Sequence, residues 1–229
     1  MTIEDRLQNV RAEYLHRLTQ GHGHLLQQVE QFLASRQGKM LRPRMLLSAA
    51  ATLGDDNLAS PRTLLLATAV EMLHNASLLH DDVIDRADSR RGLPSVNAQW
   101  NSRVAILVGD YHLALLMRLL DEVDDPAAAR RINDTVLAMV QGELLQQEIL
   151  AGRTLTREDY LSIIDSKTAR LFATAAALGN PRHEAFGLHF GRLFQLNDDL
   201  ADGETTPFTQ PLIEEEQRIL ASLQETLTI

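Results

Sequence analysis

The sequence predicts an all-α protein folded as a single-domain helical bundle. Three observations point there. Nearly every segment repeats its apolar residues with the 3.6-residue period of a helix. Leu and Ala dominate a composition that is 45% hydrophobic but only 4% aromatic, a mixture that favours helix over sheet. No run alternates Val, Ile, Thr and aromatic residues as a half-buried strand would. At 229 residues the chain suits one domain with a substantial buried core.

Taken in order, residues 3–19 and 22–36 are expected to form two amphipathic helices, separated by the Gly and His residues of GHGH. QGKMLRP is a break: Gly38 is expected to cap the preceding helix and Pro43 to fit the first turn of the next. That helix runs to about Leu53 and ends at LGDDN. Ser60 and Pro61 have the signature of N-cap and first helical position. They open a long apolar helix that passes Leu79 and reaches a pair of aspartates. RRGLPS is an irregular connection. Further helices are expected over 102–121, 126–150, 156–164, 165–179, 183–202 and 211–226, with AGRTLT and LGNPRH as loops and DGETTPFTQP ending the penultimate one. No internal repeat or low-complexity segment interrupts this pattern.

Charge and composition remove several function classes. The net charge of −9 excludes wholesale binding to nucleic acid, so any anion site must be a local concentration of Arg and Lys. The absence of cysteine excludes disulfides and thiolate metal sites. The opening MTIEDRLQNVRAEYL has no apolar signal-peptide core. Apolar stretches are broken well short of the roughly 20 residues a spanning helix needs. No transmembrane segment is expected, and a cytoplasmic protein is. Among the 22 basic residues only Lys39 and Lys167 are lysines, so each is of interest as a possible phosphate ligand.

The chemistry concentrates in LLHDDVIDRADSRRGLPSVN, residues 78–97. Asp81 and Asp85 are four apart and share a helix face, with Asp82 beside them. Carboxylates at a helix C-terminus meet an unfavourable dipole, so the cluster is destabilising unless a cation compensates. Mg²⁺ fits, because it takes carboxylate oxygens, keeps several waters and completes its shell with substrate phosphate. Alone, such a motif is more often a solvated acidic helix end. It recurs, however, at Asp198, Asp199 and Asp202 in FQLNDDLAD. Two such helices facing one another would line a cavity with six carboxylates, an arrangement suited to several Mg²⁺ ions around a diphosphate. Lys39 and Arg42 flank a helix start, where free N–H groups favour anions. Arg90 and Arg91 offer forked donors for phosphate oxygens, and Lys167 offers a point charge. Together they suggest one diphosphate held by metal and one held directly by cationic side chains.

The stretches GKMLRP, EMLHNASLLHDDVID, RRGLPSVN, VGDYHLA, QGELLQQE, DSKTARLF and FGLHFGRLFQLNDDLAD resemble, in the same order, those of the trans-isoprenyl diphosphate synthases, the polyprenyl synthetase family. The resemblance covers residues 38–202 and implies an isoprenoid synthase-like bundle around a central cavity. It implies Asp81, Asp82, Asp85, Asp198, Asp199 and Asp202 as Mg²⁺ ligands. It gives Arg90, Lys167 and Gln195 to an allylic diphosphate, and Lys39, Arg42, His74 and Arg91 to isopentenyl diphosphate. Gln146 and Thr168 would lie along the reacting carbons. The implied reaction is ionisation of the allylic diphosphate, attack by the isopentenyl double bond and loss of a proton to the departed diphosphate. A homodimer is implied as well. Ala76 and Ser77 stand where short-chain members often place a large aromatic, with Met72 a turn deeper. Small side chains there predict a product beyond farnesyl length.

The chain departs from the pattern after Asp202. The family continues with a Lys- and Gly-rich loop, a Lys-Thr-Leu-Pro-like turn and further helices. Here GETTPFTQPLIEEEQRILASLQETLTI follows, with a trace of that turn in Thr206 and Phe208 or in Thr209-Gln210-Pro211. The expectation is one polyprenyl synthetase-like domain over 1–229, truncated after the second Asp-rich motif. Alternatives are a non-catalytic or partial subunit of a heteromeric synthase, a class I terpene synthase, and a His-Asp metal phosphohydrolase using His80-Asp81.

Overall fold

The computed structural model describes residues 1–35, 38–90, 92–223 and 227. In chain order these form α1 (Ile3–Leu18), α2 (His24–Ala34), α3 (Leu41–Ala51), α4 (Asp55–Ala59) and α5 (Pro61–Ile84). A two-residue hairpin follows, β1 (Ser89–Arg90) with β2 (Leu93–Pro94), and then α6 (Val96–Gln99) and α7 (Ser102–Val123). The remainder is α8 (Pro126–Leu150), α9 (Arg157–Ile164), a π-helical turn (Asp165–Ala169), α10 (Arg170–Gly179), a 3₁₀ turn (Pro181–His183), α11 (Glu184–Asp202) and α12 (Thr209–Ser222). The all-α expectation is met. Among the described residues no helix is long and apolar enough to cross a membrane.

The chain forms two compact units, one of residues 1–43 with 60–125 and one of residues 44–59 with 126–229. In the first, α5 packs along α7 and α1 lies against α5. Leu66, Val70, Leu73 and Ala76 from α5 are buried, as are Leu115, Leu116 and Leu119 from α7 and Leu7 and Val10 from α1. A subsidiary cluster joins Val29 of α2 to Leu79, Val96, Ala105 and Val108, with Phe32 set edge-on to Trp100 at 4.9 Å. The fully buried His112 donates from Nδ1 to the Val108 carbonyl (2.8 Å) and accepts at Nε2 from the Tyr14 hydroxyl (2.9 Å). Burial depresses its pKa to about 4, so the imidazole is neutral. In the second unit α10 packs on α11, and α11 on α12. Its core holds Leu46 and Leu47 of α3, Ile132 of α8, Leu171 and Phe172 of α10, and Leu196 of α11. Tyr160, Ile164, Leu196, Leu212 and Ile213 form a second cluster there.

Local chemistry explains most element boundaries. The Ser60 hydroxyl accepts from the Thr63 N–H at 3.1 Å, with Pro61 opening α5 as expected. Thr2 and Thr156 close capping boxes with Asp5 and Asp159. Several expectations are corrected. Gly38 does not cap α2, which ends earlier, at Ser35. The residues after Leu53 fold back into the short α4, and RRGLPS contains the β hairpin, which turns at Gly92 with φ of 75°. Part of LGNPRH is a 3₁₀ turn, and α12 begins at Thr209 rather than 211. Residues 224–226, the end of the expected last helix, lie outside the described residues.

Candidate active site

The two aspartate motifs end their helices in the same way. At the end of α5, the Ala87 N–H donates to the Asp82 carbonyl (2.9 Å) and the Arg86 N–H to the Val83 carbonyl (3.3 Å), with Arg86 left-handed at φ 52°. At the end of α11, the Glu204 N–H donates to the Asp199 carbonyl (2.8 Å) and the Gly203 N–H to the Leu200 carbonyl (3.4 Å), with Gly203 at φ 77°. Both are Schellman terminations. The second aspartate of each motif supplies the carbonyl of the long return bond, and Asp85 and Asp202 are the last residues before the left-handed one. The motifs thus place their side chains at equivalent stations, where the helix dipole disfavours negative charge.

In the first unit, Asp82 is buried and Asp81 half-buried, while Asp85 is exposed. Arg90, delivered by β1, donates from Nε to Asp82 Oδ1 at 2.6 Å and also places Nη2 2.5 Å from it. The sequence assigned Arg90 to a diphosphate; here it neutralises the motif directly. Such a charge-assisted pair suits a buried carboxylate. Arg91 lies outside the described residues. Arg42, in the first turn of α3, donates from Nη1 to His74 Nε2 at 3.2 Å, which brings two of the residues expected to bind isopentenyl diphosphate together. Lys39 is exposed in the segment before α3. Met72 and Ala76 share a buried face of α5. Ser77 is half-buried, and its hydroxyl donates back to the His74 carbonyl at 2.9 Å. His80 turns its Nε2 to the Ile106 carbonyl and to Asp110 Oδ1, both at 3.3 Å, so it is engaged with α7 instead of forming a His-Asp metal pair with Asp81.

In the second unit, Lys167 and Thr168 lie on the π-helical turn, a feature periodicity does not disclose and one that recurs at functional sites. Gly142 of α8 permits it, since a Cβ there would stand 2.2 Å from Ser166 Cβ. Asp165 holds Arg192 of α11 by two bonds, 2.6 and 2.8 Å, and this ion pair raises the guanidinium pKa further. Arg192 also reaches Glu216 of α12 at 3.2 Å. Thr168 donates to Gln195 Oε1 (2.5 Å), and Gln195 Nε2 donates to Asp199 Oδ1 (2.7 Å). Three of the predicted residues are therefore linked in a row. The other oxygen of Asp199 accepts from the Tyr160 hydroxyl at 2.7 Å, and burial first of all raises the Tyr160 pKa to about 12. Tyr160 was not singled out in the sequence. The available signal was one of only three tyrosines, set four residues before Ile164 on the apolar stripe of α9, where a buried hydroxyl needs a partner. Asp198 and Asp202 are exposed near the end of α11, and Gln146 is half-buried on α8.

The donor set fits Mg²⁺. All six candidate ligands are carboxylates, the hard oxygen donors this ion takes. Asp199 uses two of about four acceptor positions on its own chain, leaving each oxygen able to meet a cation. Among the described residues no three His, Asp or Glu side chains gather into a self-sufficient metal cage. Mg²⁺ requires none, since one or two carboxylates, waters and substrate phosphate complete its shell.

Comparison with known proteins identifies the family. The chain matches the polyprenyl synthetase family over residues 23–210. It is 38% identical over 187 residues to an all-trans-nonaprenyl-diphosphate synthase (geranyl-diphosphate specific) of Rhodobacter capsulatus, an alignment covering 78% of this chain and 57% of the relative. Heptaprenyl diphosphate synthase component 2 of Bacillus subtilis (strain 168) is 34% identical over 209 residues, covering 87% of this chain and 57% of the relative. Among solved structures, a polyprenyl synthase from Caulobacter crescentus CB15, complexed with calcium and isoprenyl diphosphate, superposes with a TM-score of 0.82 at 31% identity, over 89% of this chain and 64% of that one. The chain spans less than three-fifths of the length of these two curated relatives. With the ordered motifs, the isoprenoid-synthase-like helices and the family match in agreement, this chain belongs to the polyprenyl synthetase family.

Proposed function

We propose that this chain is a Mg²⁺-dependent prenyltransferase of isoprenoid biosynthesis, a trans-polyprenyl diphosphate synthase. It condenses isopentenyl diphosphate with an allylic diphosphate and makes a product longer than farnesyl. The observation that carries the reading is the pair of D-D-x-x-D motifs set at equivalent Schellman helix ends, in a chain that matches the family across both. That continuous match also supports reading residues 1–229 as one domain. Relatives named for nonaprenyl and octaprenyl products support the long product, as do the small Ala76 and Ser77.

Asp81, Asp82, Asp85, Asp198, Asp199 and Asp202 would hold Mg²⁺, which supplies charge neutralisation for the departing diphosphate. Lys167 and Arg90 add cationic charge where the allylic diphosphate develops its negative charge, the electrostatic contribution expected to dominate. Gln195 and Thr168 orient that end of the substrate through their chain of hydrogen bonds to Asp199. Lys39, Arg42, His74 and Arg91 bind isopentenyl diphosphate, and Gln146 flanks the reacting carbons. Arg90 is shared: its bond to Asp82 holds the guanidinium next to the motif it serves. No side-chain general base is needed, because the released diphosphate can take the proton.

The protein is read as cytoplasmic and homodimeric. Leu137, Val140 and Leu144 are exposed on one face of α8, and Ile106, Leu107 and Met117 are exposed on α7. Apolar surface of that kind suits a second copy. The reaction is tested by incubating purified protein with isopentenyl diphosphate, Mg²⁺ and allylic diphosphates of several lengths, and resolving the products by chromatography. Elongation past the farnesyl compound is expected; release of phosphate from unrelated nucleotides instead would refute the reading. A second reading, a subunit requiring a partner chain, is favoured by the Bacillus subtilis relative that is named a component. It predicts inactivity alone, with activity restored by a second polypeptide.

A further inference from the structure

We propose that Tyr160 and Thr209 form a latch that positions Asp199, coupling the metal-binding competence of the second aspartate motif to the docking of residues 206–209. The inference rests on the reading of Asp199 as a metal ligand. Its physical basis is the direction of a hydrogen-bond chain. The Tyr160 hydroxyl lies 2.7 Å from Asp199 Oδ2 and 3.1 Å from Thr209 Oγ1. A carboxylate only accepts, so the single phenolic proton goes to Asp199. Thr209 must then donate its own proton to the Tyr160 oxygen. Its Oγ1 is left as an acceptor for the Thr206 N–H at 3.0 Å and for the Thr206 hydroxyl at 3.2 Å. Thr206 Oγ1 in turn accepts from the Phe208 N–H at 3.2 Å. Every donor in the series points toward Asp199, a polarity in which each bond strengthens the next.

Burial makes the series hard to replace. Tyr160 is 6% exposed and Thr209 2%, and Tyr160 packs in one cluster with Leu212, Ile213 and Phe208, where water has little access. An unpaired hydroxyl there is costly. With Gln195 on Oδ1 and Tyr160 on Oδ2, the Asp199 carboxylate is held from both sides. Thr206 and Thr209 belong to the stretch where this chain departs from the family pattern. The latch gives that stretch a role at the site: it orients the metal ligand without contributing a charge.

The test uses the full chain and Mn²⁺ as the probe, titrated in the presence of inorganic pyrophosphate and read by isothermal calorimetry, with a thermal melt of each variant alongside. Loss of an orienting partner typically weakens metal binding about 10- to 100-fold. Tyr160→Phe and Thr209→Val are each expected to weaken Mn²⁺ by about 10-fold, and Thr209→Ser, which keeps the hydroxyl, to bind as the parent does. The double variant should bind no more weakly than Tyr160→Phe, because both changes break one chain. Parent-like affinity in Tyr160→Phe and Thr209→Val, alongside weakened binding in Asp199→Asn, would overturn the latch and leave the metal site standing. Unchanged binding in Asp199→Asn would overturn the metal assignment and the latch with it. If Tyr160→Phe fails to fold, the Val and Ser variants at Thr209 decide: equal affinities refute the latch.

Discussion

Replacing Gly142 with alanine gives a sharp test of how α8 supports the site. An added Cβ would stand 2.2 Å from Ser166 Cβ, 3.0 Å from its Oγ and 3.5 Å from its Cα. Carbon atoms in contact prefer about 3.5–4.0 Å, so α8 and the π-helical turn must separate by about 1.3 Å or more. Rotating the serine side chain does not help, since Cβ is fixed to the main chain. Overpacking of this kind costs about 1–3 kcal/mol. For a chain of this length each kcal/mol lowers the melting temperature by about 2–4 °C, so a fall of roughly 2–12 °C is expected. Because the displaced turn carries Lys167 and Thr168, elongation activity should fall as well. The assay is a circular-dichroism melt beside Gln141→Ala, an exposed neighbour on the same helix that should melt as the parent does. A Gly142→Ala protein with parental melting temperature and activity would refute the packing argument.

Three further outcomes follow from other features. Arg86 holds a left-handed conformation at φ 52°, which costs a non-glycine residue about 1–2 kcal/mol. After the extra unfolded-chain entropy of glycine is subtracted, Arg86→Gly should stabilise by about 0.5–1 kcal/mol, measured by urea denaturation; a loss of stability would contradict the Schellman assignment. Glu30 is 2% exposed with no hydrogen-bond partner on either side-chain oxygen, and burial lifts its pKa from 4.5 to about 7. Its folded-state pKa is raised, so its stability contribution is complete below pH 4.5 and disappears as pH climbs through 7. The sum is at most about 3 kcal/mol. Glu30→Gln should flatten that part of the stability–pH curve and raise stability at pH 8; an unchanged curve would show that the carboxyl is solvated. Finally, Ala76→Phe on the buried face of α5 should shorten the product and lower stability by about 1–3 kcal/mol, whereas an unaltered product distribution in folded protein would remove Ala76 from length control.

The helices were legible because their signals are local. Ser60-Pro61 announces α5, and capping residues and apolar period need no knowledge of distant contacts. The aspartate motifs were legible for the same reason, as was the family. Features set by tertiary packing were not. The π-helical turn sits where Asp165 reaches Arg192 and Thr168 reaches Gln195, pairings 27 residues apart that no periodicity encodes. Gly38 looked like a helix cap by composition, yet α2 stops three residues before it. The hairpin at Ser89–Pro94 pairs only two residues per strand, too few to show alternation. Arg90 was legible as a cation near carboxylates, but its choice of Asp82 over an external anion depends on where the hairpin delivers it. Tyr160 escaped notice because its importance lies in one hydroxyl, whose partners come from α11 and α12.

The surplus residue in the turn at Asp165–Ala169 also sets how this region can change over time. A π turn holds one residue more than the α-helix around it, and its five residues advance about as far around the axis as four of an α-helix, so deleting one of them would leave α9 and α10 in nearly the same mutual rotation. Such a deletion would shift the register within the turn, and with it the bond from Thr168 to Gln195, while the flanking helices keep their packing. The bulge therefore works as a local insertion that its neighbouring helices absorb without turning, so the chemistry carried on the turn can change while the packing on either side is kept.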